Sequence, residues 1–473
     1  MPRQNVRLVT AILATLKARL SSDPWYYAAA FVFCAGAAWL CVLDIVLKQP
    51  VAIDFKSFYT AAVAASRGLD VYDVKVLEGI ASEKHLPHKV TFPYLYPPFF
   101  AYVFSWFSRL RPGTAQGLWS GLAVVSYGVA AVCAMVAIRS ASRDRDGAAG
   151  APAVGAARAP AVTTALIAFV VLLTWTLNLR NSLAMGQVNP LVLMFLCAAL
   201  ALFFSGKDLP AGLALSVAAG IKVTPILLAV PWLLQRRFRA LAGLAAGFAA
   251  LFLVSLPLGA APAWIEFLKR LPRMSHGATI PGLFSPGTVP NFSLAGFYTR
   301  LFASDTAAVK VASVVTILLL LGATLALGLG GGAPSPSRWL RMLLPLLVTM
   351  IVASPFTYVH HVLYLFPAAL FALDRATKQE RLLEMGALLA LISLATIDFP
   401  YVYERFKAPL PPLVLSMNLY VLLVLYGLGL YMLWRERRAE AAASGAIAAP
   451  ARERESAVVP ASGAAEPSQQ VSA

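Results

Sequence analysis

One acid, Asp54, stands directly after the first long apolar run of the chain, in the segment Val51-Ala-Ile-Asp-Phe-Lys-Ser-Phe-Tyr59. Lys222 and the pair His360-His361 interrupt apolar sequence further along. A single carboxylate can take a proton from a hydroxyl, whereas lysine and histidine can hold a phosphate and stabilise it as it leaves. These residue types suit the transfer of a group from a phosphate to a hydroxyl.

Several common reaction types lack their sequence motifs here. The chain has no Gly-x-Ser-x-Gly elbow, no His-Glu-x-x-His zinc motif and no P-loop. One base beside phosphate-binding cations is typical of glycosyl transfer from a lipid phosphate sugar, which does not need the two acids of sugar hydrolysis. We therefore expect neither a cofactor nor a metal, and the lipid phosphate sugar would be a substrate.

The composition requires that these residues work in a membrane. Hydrophobic residues make up 59% of the 473 residues and charged residues only 13%, against about 25% charged residues in soluble domains. This excludes a soluble enzyme of ordinary type and predicts an all-α polytopic membrane protein. The net charge of +17 is explained by basic residues at cytoplasmic helix ends, so we expect no nucleic-acid partner.

The apolar runs predict a bundle of about twelve helices in one membrane domain, residues 25–435, with membrane lipids around it. The pair 209–221 and 223–235 is short for two crossings. The predicted spans are 25–47, 114–138, 161–178, 189–204, 209–221, 223–235, 239–258, 306–329, 339–354, 360–374, 382–397 and 411–434.

Charge orients this bundle. The short apolar piece 98–110 could cross the membrane or lie along its surface, and only the second choice places every later basic loop inside. Residues 48–112 then form one outer loop with juxtamembrane helices, and 259–305 form a second. We predict that residues 1–24 are a cytoplasmic tail and that 436–473 are a disordered cytoplasmic tail.

The same topology collects the polar residues at one membrane face, where ionisable groups usually mark function. They are Asp54, Tyr96, Arg180, Asn181, Gln187, Asn189, Lys222, His360, His361 and Asp398.

Each of these residues also has a structural interpretation. Asp54 could be a solvated loop acid, and Lys222 and Arg180 could extend to the headgroups. The histidines could cap the next helix, and Gln187 with Asn189 could satisfy a tight turn.

Five motifs in order resemble glycosyltransferase family 87. They are an acid after the first span with a downstream Phe-Tyr, Tyr94-Leu-Tyr-Pro-Pro-Phe99, Gly186-Gln-Val-Asn-Pro190, Ile221-Lys-Val-Thr-Pro225, and Ser354-Pro355 followed by His360-His361. The likeness covers roughly residues 25–435 and implies bacterial membrane enzymes of the GT-C fold. It also implies a polyprenyl-phosphate sugar donor, commonly of mannose.

The resemblance implies roles for single residues. The acid of the first outer loop, Asp54, would be the general base. The donor phosphate would lie near Lys222 and near His360 or His361. Val359 departs from the family pattern, in which an acidic residue commonly precedes the paired histidines.

The sequence thus predicts a hexosyltransferase of the bacterial inner membrane that inverts the anomeric centre and acts outside the cytoplasm on a lipid or glycan hydroxyl. Asp54 is the predicted catalytic residue, and the remaining assignments form two groups. Lys222, Arg180, His360 and His361 would bind the donor phosphate, and Tyr59, Tyr96, Asn181, Gln187 and Asn189 would shape the sugar and acceptor pocket. A transporter or flippase of lipid-linked sugars is the main alternative, and a non-catalytic assembly partner is a third.

Overall fold

The computed structural model is built of helices joined by short turns, with no strand among the residues it describes. The described residues are 51–87, 91–148, 178–302, 306–329, 336–378, 382–397, 399 and 411–456. The predicted first span, the N-terminal tail and Asp398 lie outside this part of the chain, as does all of the predicted third span except residue 178.

Short helices fill the first predicted outer loop. They are α1 (Ile53–Ser66), α2 (Val74–Glu83) and α3 (Pro98–Val103), and a 3₁₀ turn (Ser105–Arg109) follows. Neither α3 nor this turn is long enough to cross a hydrocarbon core of about 30 Å.

Most of the helices that follow overlap predicted apolar segments, because the length of an apolar run is a local property of sequence. The predicted span 223–235 instead divides into a 3₁₀ turn (Thr224–Leu228) and a short helix (Ala229–Leu234). The first group is α4 (Pro112–Ala148), α5 (Asn189–Phe204), α6 (Asp208–Ile221), α7 (Ala229–Leu234), α8 (Phe238–Ser255), α9 (Ala261–Arg270) and α10 (Leu294–Leu301). The second group is α11 (Thr306–Leu329), α12 (Pro336–Val352), α13 (Phe366–Lys378), α14 (Leu382–Ala395) and α15 (Met417–Ser456).

Four helical segments in the described part of the chain are long and apolar enough to cross a membrane: Pro112–Ala141, Phe238–Leu258, Thr306–Leu329 and Val414–Ala439. The other apolar helices are shorter, so the predicted count of twelve crossings is not confirmed. Helix α15 continues to Ser456, which gives helical backbone to the first part of the predicted disordered tail.

Close packing of α4, α5, α6 and α8 places the turns that carry the polar residues. Helices α6 and α8 approach through small residues, since a Cβ added to Gly212 would lie 2.0 Å from the carbonyl oxygen of Ala240. Such contacts are typical of helix pairs in membranes, where small side chains allow backbones to approach. The packing of α6 on α5 brings Lys222, at the end of α6, against the start of α5.

Candidate functional site

Asp54 lies in the first turn of α1, where the unpaired N–H groups of the helix favour a negative charge. Its carboxylate Oδ2 accepts a hydrogen bond of 2.5 Å from Gln187 Nε2, and its side chain is half-buried. Burial raises the pKa of Asp54 to about 6, against the opposing effects of the Gln187 hydrogen bond and the charge of Lys222. The carboxyl can therefore gain and lose a proton near neutral pH.

A tight turn delivers Gln187 to Asp54. Gly186 has φ +70°, and a Cβ there would lie 2.6 Å from the Cβ of Phe55, so the turn packs directly on the first turn of α1. The indole N–H of Trp119 donates to the Gly186 carbonyl at 2.9 Å, and the Gln187 N–H donates to the Ser182 carbonyl at 2.7 Å. The predicted structural role of this turn and its place in the site are thus compatible.

Asn189, the first residue of α5, connects the lysine to the histidine segment. Its Oδ1 accepts hydrogen bonds from Lys222 Nζ at 2.6 Å and from the Tyr364 hydroxyl at 2.7 Å. Its Nδ2 donates to the His360 carbonyl at 3.2 Å. Because the side chain is fully buried, its role is to hold these groups rather than to contact a substrate.

Lys222 lies at the turn that ends α6, and its side chain is half-buried. Besides Asn189, its Nζ contacts His361 Nε2 at 2.9 Å. Burial lowers the pKa of Lys222 to about 7, and the negative charge of Asp54 opposes this shift. An ammonium that only extends to lipid headgroups would not form such contacts.

The histidine pair opens a 3₁₀ helix, Val359–Leu365, and both rings are buried. The Tyr358 N–H donates to His361 Nδ1 at 3.0 Å, so His361 caps this helix, as its structural interpretation predicts. The same ring contacts Lys222 through its other nitrogen. His360 Nε2 is buried without a hydrogen-bond partner, which leaves one nitrogen available at the site.

The second predicted outer loop supports the histidine segment through Asn291. Asn291 Nδ2 donates to the carbonyls of Pro286 (2.8 Å) and Pro355 (3.0 Å), and its Oδ1 accepts from the N–H groups of Ser293 (3.1 Å) and Thr357 (2.9 Å). A buried amide with four bonds fixes the turn before the histidines. Sequence reasoning missed this residue, because nothing local marks the partners of an asparagine.

Three tyrosines border the site, and only Tyr96 was predicted. Burial and the charge of Asp54 raise the pKa of Tyr96 above its ordinary range. Burial, and to a smaller extent the charge of Asp54, also raises the pKa of Tyr358 to about 12. Tyr364 belongs to the site through its bond to Asn189. Tyr358 and Tyr364 flank the histidine pair, and that position was the signal that could have found them.

Besides Tyr96, which only borders this cluster, three predicted residues do not join it. The Tyr59 hydroxyl donates to the Leu110 carbonyl at 2.9 Å, and its buried ring packs beside Phe55 in an aromatic core. Arg180 is exposed and Asn181 is half-buried. Among the described residues, no hydrogen bond connects either of them to Asp54 or Lys222.

The described part of the chain contains no group of three side chains of the histidine, cysteine or acidic type that could hold a metal ion. The polar cluster instead consists of one acid, one lysine, two histidines, two amides and hydroxyls. Fold and site together define an all-helical membrane protein with a half-buried carboxylate near a lysine–histidine pair.

Comparison with known proteins identifies the family. The profile of glycosyltransferase family 87 matches residues 94–355, more than half of the chain. The chain belongs to glycosyltransferase family 87 and is a membrane glycosyltransferase. The matched segment contains Gln187, Asn189 and Lys222. The histidine pair follows it directly, whereas Asp54 lies well before it in the chain.

The chain is also similar to a named enzyme of Mycolicibacterium smegmatis. That protein is a polyprenol-phosphate-mannose-dependent alpha-(1-2)-phosphatidylinositol pentamannoside mannosyltransferase. The two are 29% identical over 324 residues, which cover 66% of this chain and 70% of the relative.

Proposed function

We propose that this protein transfers a hexose, mannose in the first instance, from a polyprenyl-phosphate sugar to a hydroxyl of a lipid or glycan acceptor. The observation that carries the proposal is the position of Asp54, held by Gln187 in one polar cluster with Lys222 and His361. The cluster pairs a base with cationic and N–H groups that suit a phosphate. The name of the mycobacterial relative supports the donor class.

The proposed reaction inverts the anomeric centre in one displacement. Asp54 takes the proton of the acceptor hydroxyl as its oxygen attacks the anomeric carbon. The bond between that carbon and the phosphate oxygen breaks, and its electron pair stays on the phosphate. Lys222 with His360 or His361 stabilises the charge that develops there.

Four of the six remaining predicted residues keep more limited roles in this proposal. Tyr96 and Gln187 border the sugar pocket. Asn189 positions Lys222, because its buried amide oxygen already accepts two hydrogen bonds. Arg180 remains a candidate for the outer end of the donor phosphate, where its exposed side chain can reach the headgroup region.

We place the reaction on the extracytoplasmic side of a bacterial inner membrane. The support is the distribution of basic residues, which puts the loops after α5 and α7 inside and the turns carrying Asp54, Lys222 and the histidine pair outside. A membrane-embedded donor then presents its phosphate at the level of the cluster.

The direct test uses membranes that contain the full chain, labelled polyprenyl-phosphate mannose and a bacterial lipid extract. The expected result is a labelled, lipid-extractable product that forms only with the full chain present. Movement of intact labelled donor across the membrane without such a product would overturn the proposal and favour a flippase.

The fall of kcat/KM on the acid side of the pH profile should follow the protonation of Asp54. Because the pKa of Asp54 is raised to about 6, kcat/KM should fall about tenfold per pH unit below that value, as the base becomes protonated. With an ordinary carboxyl as the base, kcat/KM would stay unchanged down to about pH 4. The measurement is kcat/KM against pH in detergent, and a limb that persists unchanged in Asp54→Asn would contradict the assignment.

A further inference from the structure

The hydrogen bonds around His361 determine which of its nitrogens carries a proton. The Tyr358 backbone N–H donates to Nδ1 at 3.0 Å, so Nδ1 must present a lone pair. An imidazolium would point a second N–H at that donor and is excluded. The neutral ring has one N–H, so His361 carries it on Nε2.

This assignment determines the state of Lys222. His361 Nε2–H faces Lys222 Nζ at 2.9 Å, and an ammonium has three donors and no acceptor. Two donors would then oppose each other, whereas a neutral amine offers its lone pair. One amine N–H donates to Asn189 Oδ1 at 2.6 Å, and one N–H remains for a ligand.

The surroundings of Lys222 agree with a neutral amine. Among the residues that the structure describes, the titratable groups that face it are Asp54 from the start of α1, and His360, His361 and Tyr364 from the 3₁₀ helix after α12. Of these four groups only Asp54 supplies a negative charge, and its carboxylate bonds to Gln187 rather than to the lysine. Desolvation lowers the pKa of Lys222 more than Asp54 raises it.

We propose that Lys222 is a neutral amine in the free protein and takes up one proton from solvent when the phosphate of a lipid-linked sugar binds. The inference rests on the proposed donor class. Protonation removes the lone pair that accepts from His361, so Nζ moves to the phosphate and donates to it. The Nε2–H of His361 is released at the same time and can donate to a second phosphate oxygen.

The proton uptake assists both donor binding and cleavage of the bond to the sugar. Without bound donor, a neutral Lys222 places no buried ammonium beside the two histidines. This avoids an unpaired charge in the low-dielectric interior of the protein. The bound donor is a phosphodiester with one negative charge, which the new ammonium neutralises. When the bond to the sugar breaks, the phosphate gains a second negative charge next to that ammonium. Arginine stays charged throughout and cannot gain the proton.

The test measures proton uptake on binding of short-chain polyprenyl-phosphate mannose, a phosphodiester that does not titrate near neutral pH. Calorimetry at about pH 8 in two buffers of different ionisation enthalpy gives the number of protons taken up. All measurements use the Asp54→Asn background, which slows turnover and removes the titration of Asp54. We expect at least about 0.9 proton per donor, since a pKa of about 7 leaves most of the lysine neutral at that pH and loss of the Asp54 charge lowers this pKa further.

Two further measurements make the result specific. Adding Lys222→Arg should reduce the uptake to near zero, whereas adding Lys207→Arg, at an exposed position after α5, should leave it unchanged. If the Lys222→Arg protein does not fold, a pH series decides, because uptake should fall towards zero as the pH is lowered through the pKa of Lys222. Donor binding without proton uptake at about pH 8 would overturn the inference alone. A chain that neither binds this donor nor transfers its sugar would overturn the proposed function with it.

Discussion

Replacing Asp54 with asparagine is expected to lower glycosyl transfer by about 10²–10⁴-fold, the range of a lost general base. Asparagine has nearly the same size, and its amide oxygen can still accept the Gln187 N–H that now bonds Oδ2. The change therefore removes the base and keeps the geometry. The rate of transfer from labelled polyprenyl-phosphate mannose is the measurement.

The same variant should not lose stability. The folded-state pKa of Asp54 lies above its ordinary value. The carboxyl therefore favours folding below about pH 4, and that contribution is lost as the pH rises through about 6. At neutral pH the asparagine variant should unfold at the same temperature as the original protein or at a higher one. A marked fall in Tm would mean that lost activity reports misfolding.

The matched control is Asp73→Asn, in the same loop. Asp73 accepts a hydrogen bond from the Lys75 N–H and caps α2, and asparagine caps helices about as well as aspartate. We expect activity and Tm to remain unchanged. Equal loss of activity in both variants, or full activity in Asp54→Asn, would remove Asp54 as the base.

Replacing Gly186 with alanine should produce the second large effect. The added Cβ would lie 2.6 Å from the Cβ of Phe55, 2.9 Å from its backbone nitrogen and 3.0 Å from the Cβ of Ala52. Overpacking of this kind costs about 1–3 kcal/mol, and the left-handed φ adds about 1–2 kcal/mol. Because the turn must move away from α1, Gln187 leaves Asp54, and a displacement of about 1 Å can cost about 10²-fold in rate.

Substitutions at two other glycines separate the effect of backbone strain from that of steric overlap. Gly68 has φ +69° but no heavy atom within 4 Å of an added Cβ, so Gly68→Ala should show the backbone strain alone. Gly128 lies inside α4 with equally open space, and Gly128→Ala should stabilise by about 0.5–1 kcal/mol. Neither should change activity. A Gly186→Ala protein with the Tm of Gly68→Ala and full activity would contradict the proposed packing.

The structural and functional interpretations of several residues turned out to be compatible. His361 caps its 3₁₀ helix with Nδ1 and meets Lys222 with Nε2. Gln187 belongs to a tight turn and also holds Asp54. An imidazole or a primary amide has two polar ends, so one side chain can stabilise the fold and serve the site.

Tyr59 and Tyr358 show where reasoning from motifs reached its limit. Tyr59 is only five positions from Asp54, yet its hydroxyl bonds to Leu110 and its ring joins an aromatic core. Tyr358 is far away in sequence, yet its pKa responds to the charge of Asp54. Nearness in sequence does not determine which side of a helix or turn a side chain occupies.

The amino-acid sequence by itself determined the membrane class, the family and the positions of most helices, since apolar run length and motif spacing are local properties. The helices α5 and α11 coincide with predicted segments for that reason. Only the tertiary structure decided the chemistry of the cluster. Gln187 meets Asp54 across 133 positions and His361 meets Lys222 across 139. Hydrogen bonds and charge effects act over a few ångströms, so proton positions depend on neighbours that only folding brings together.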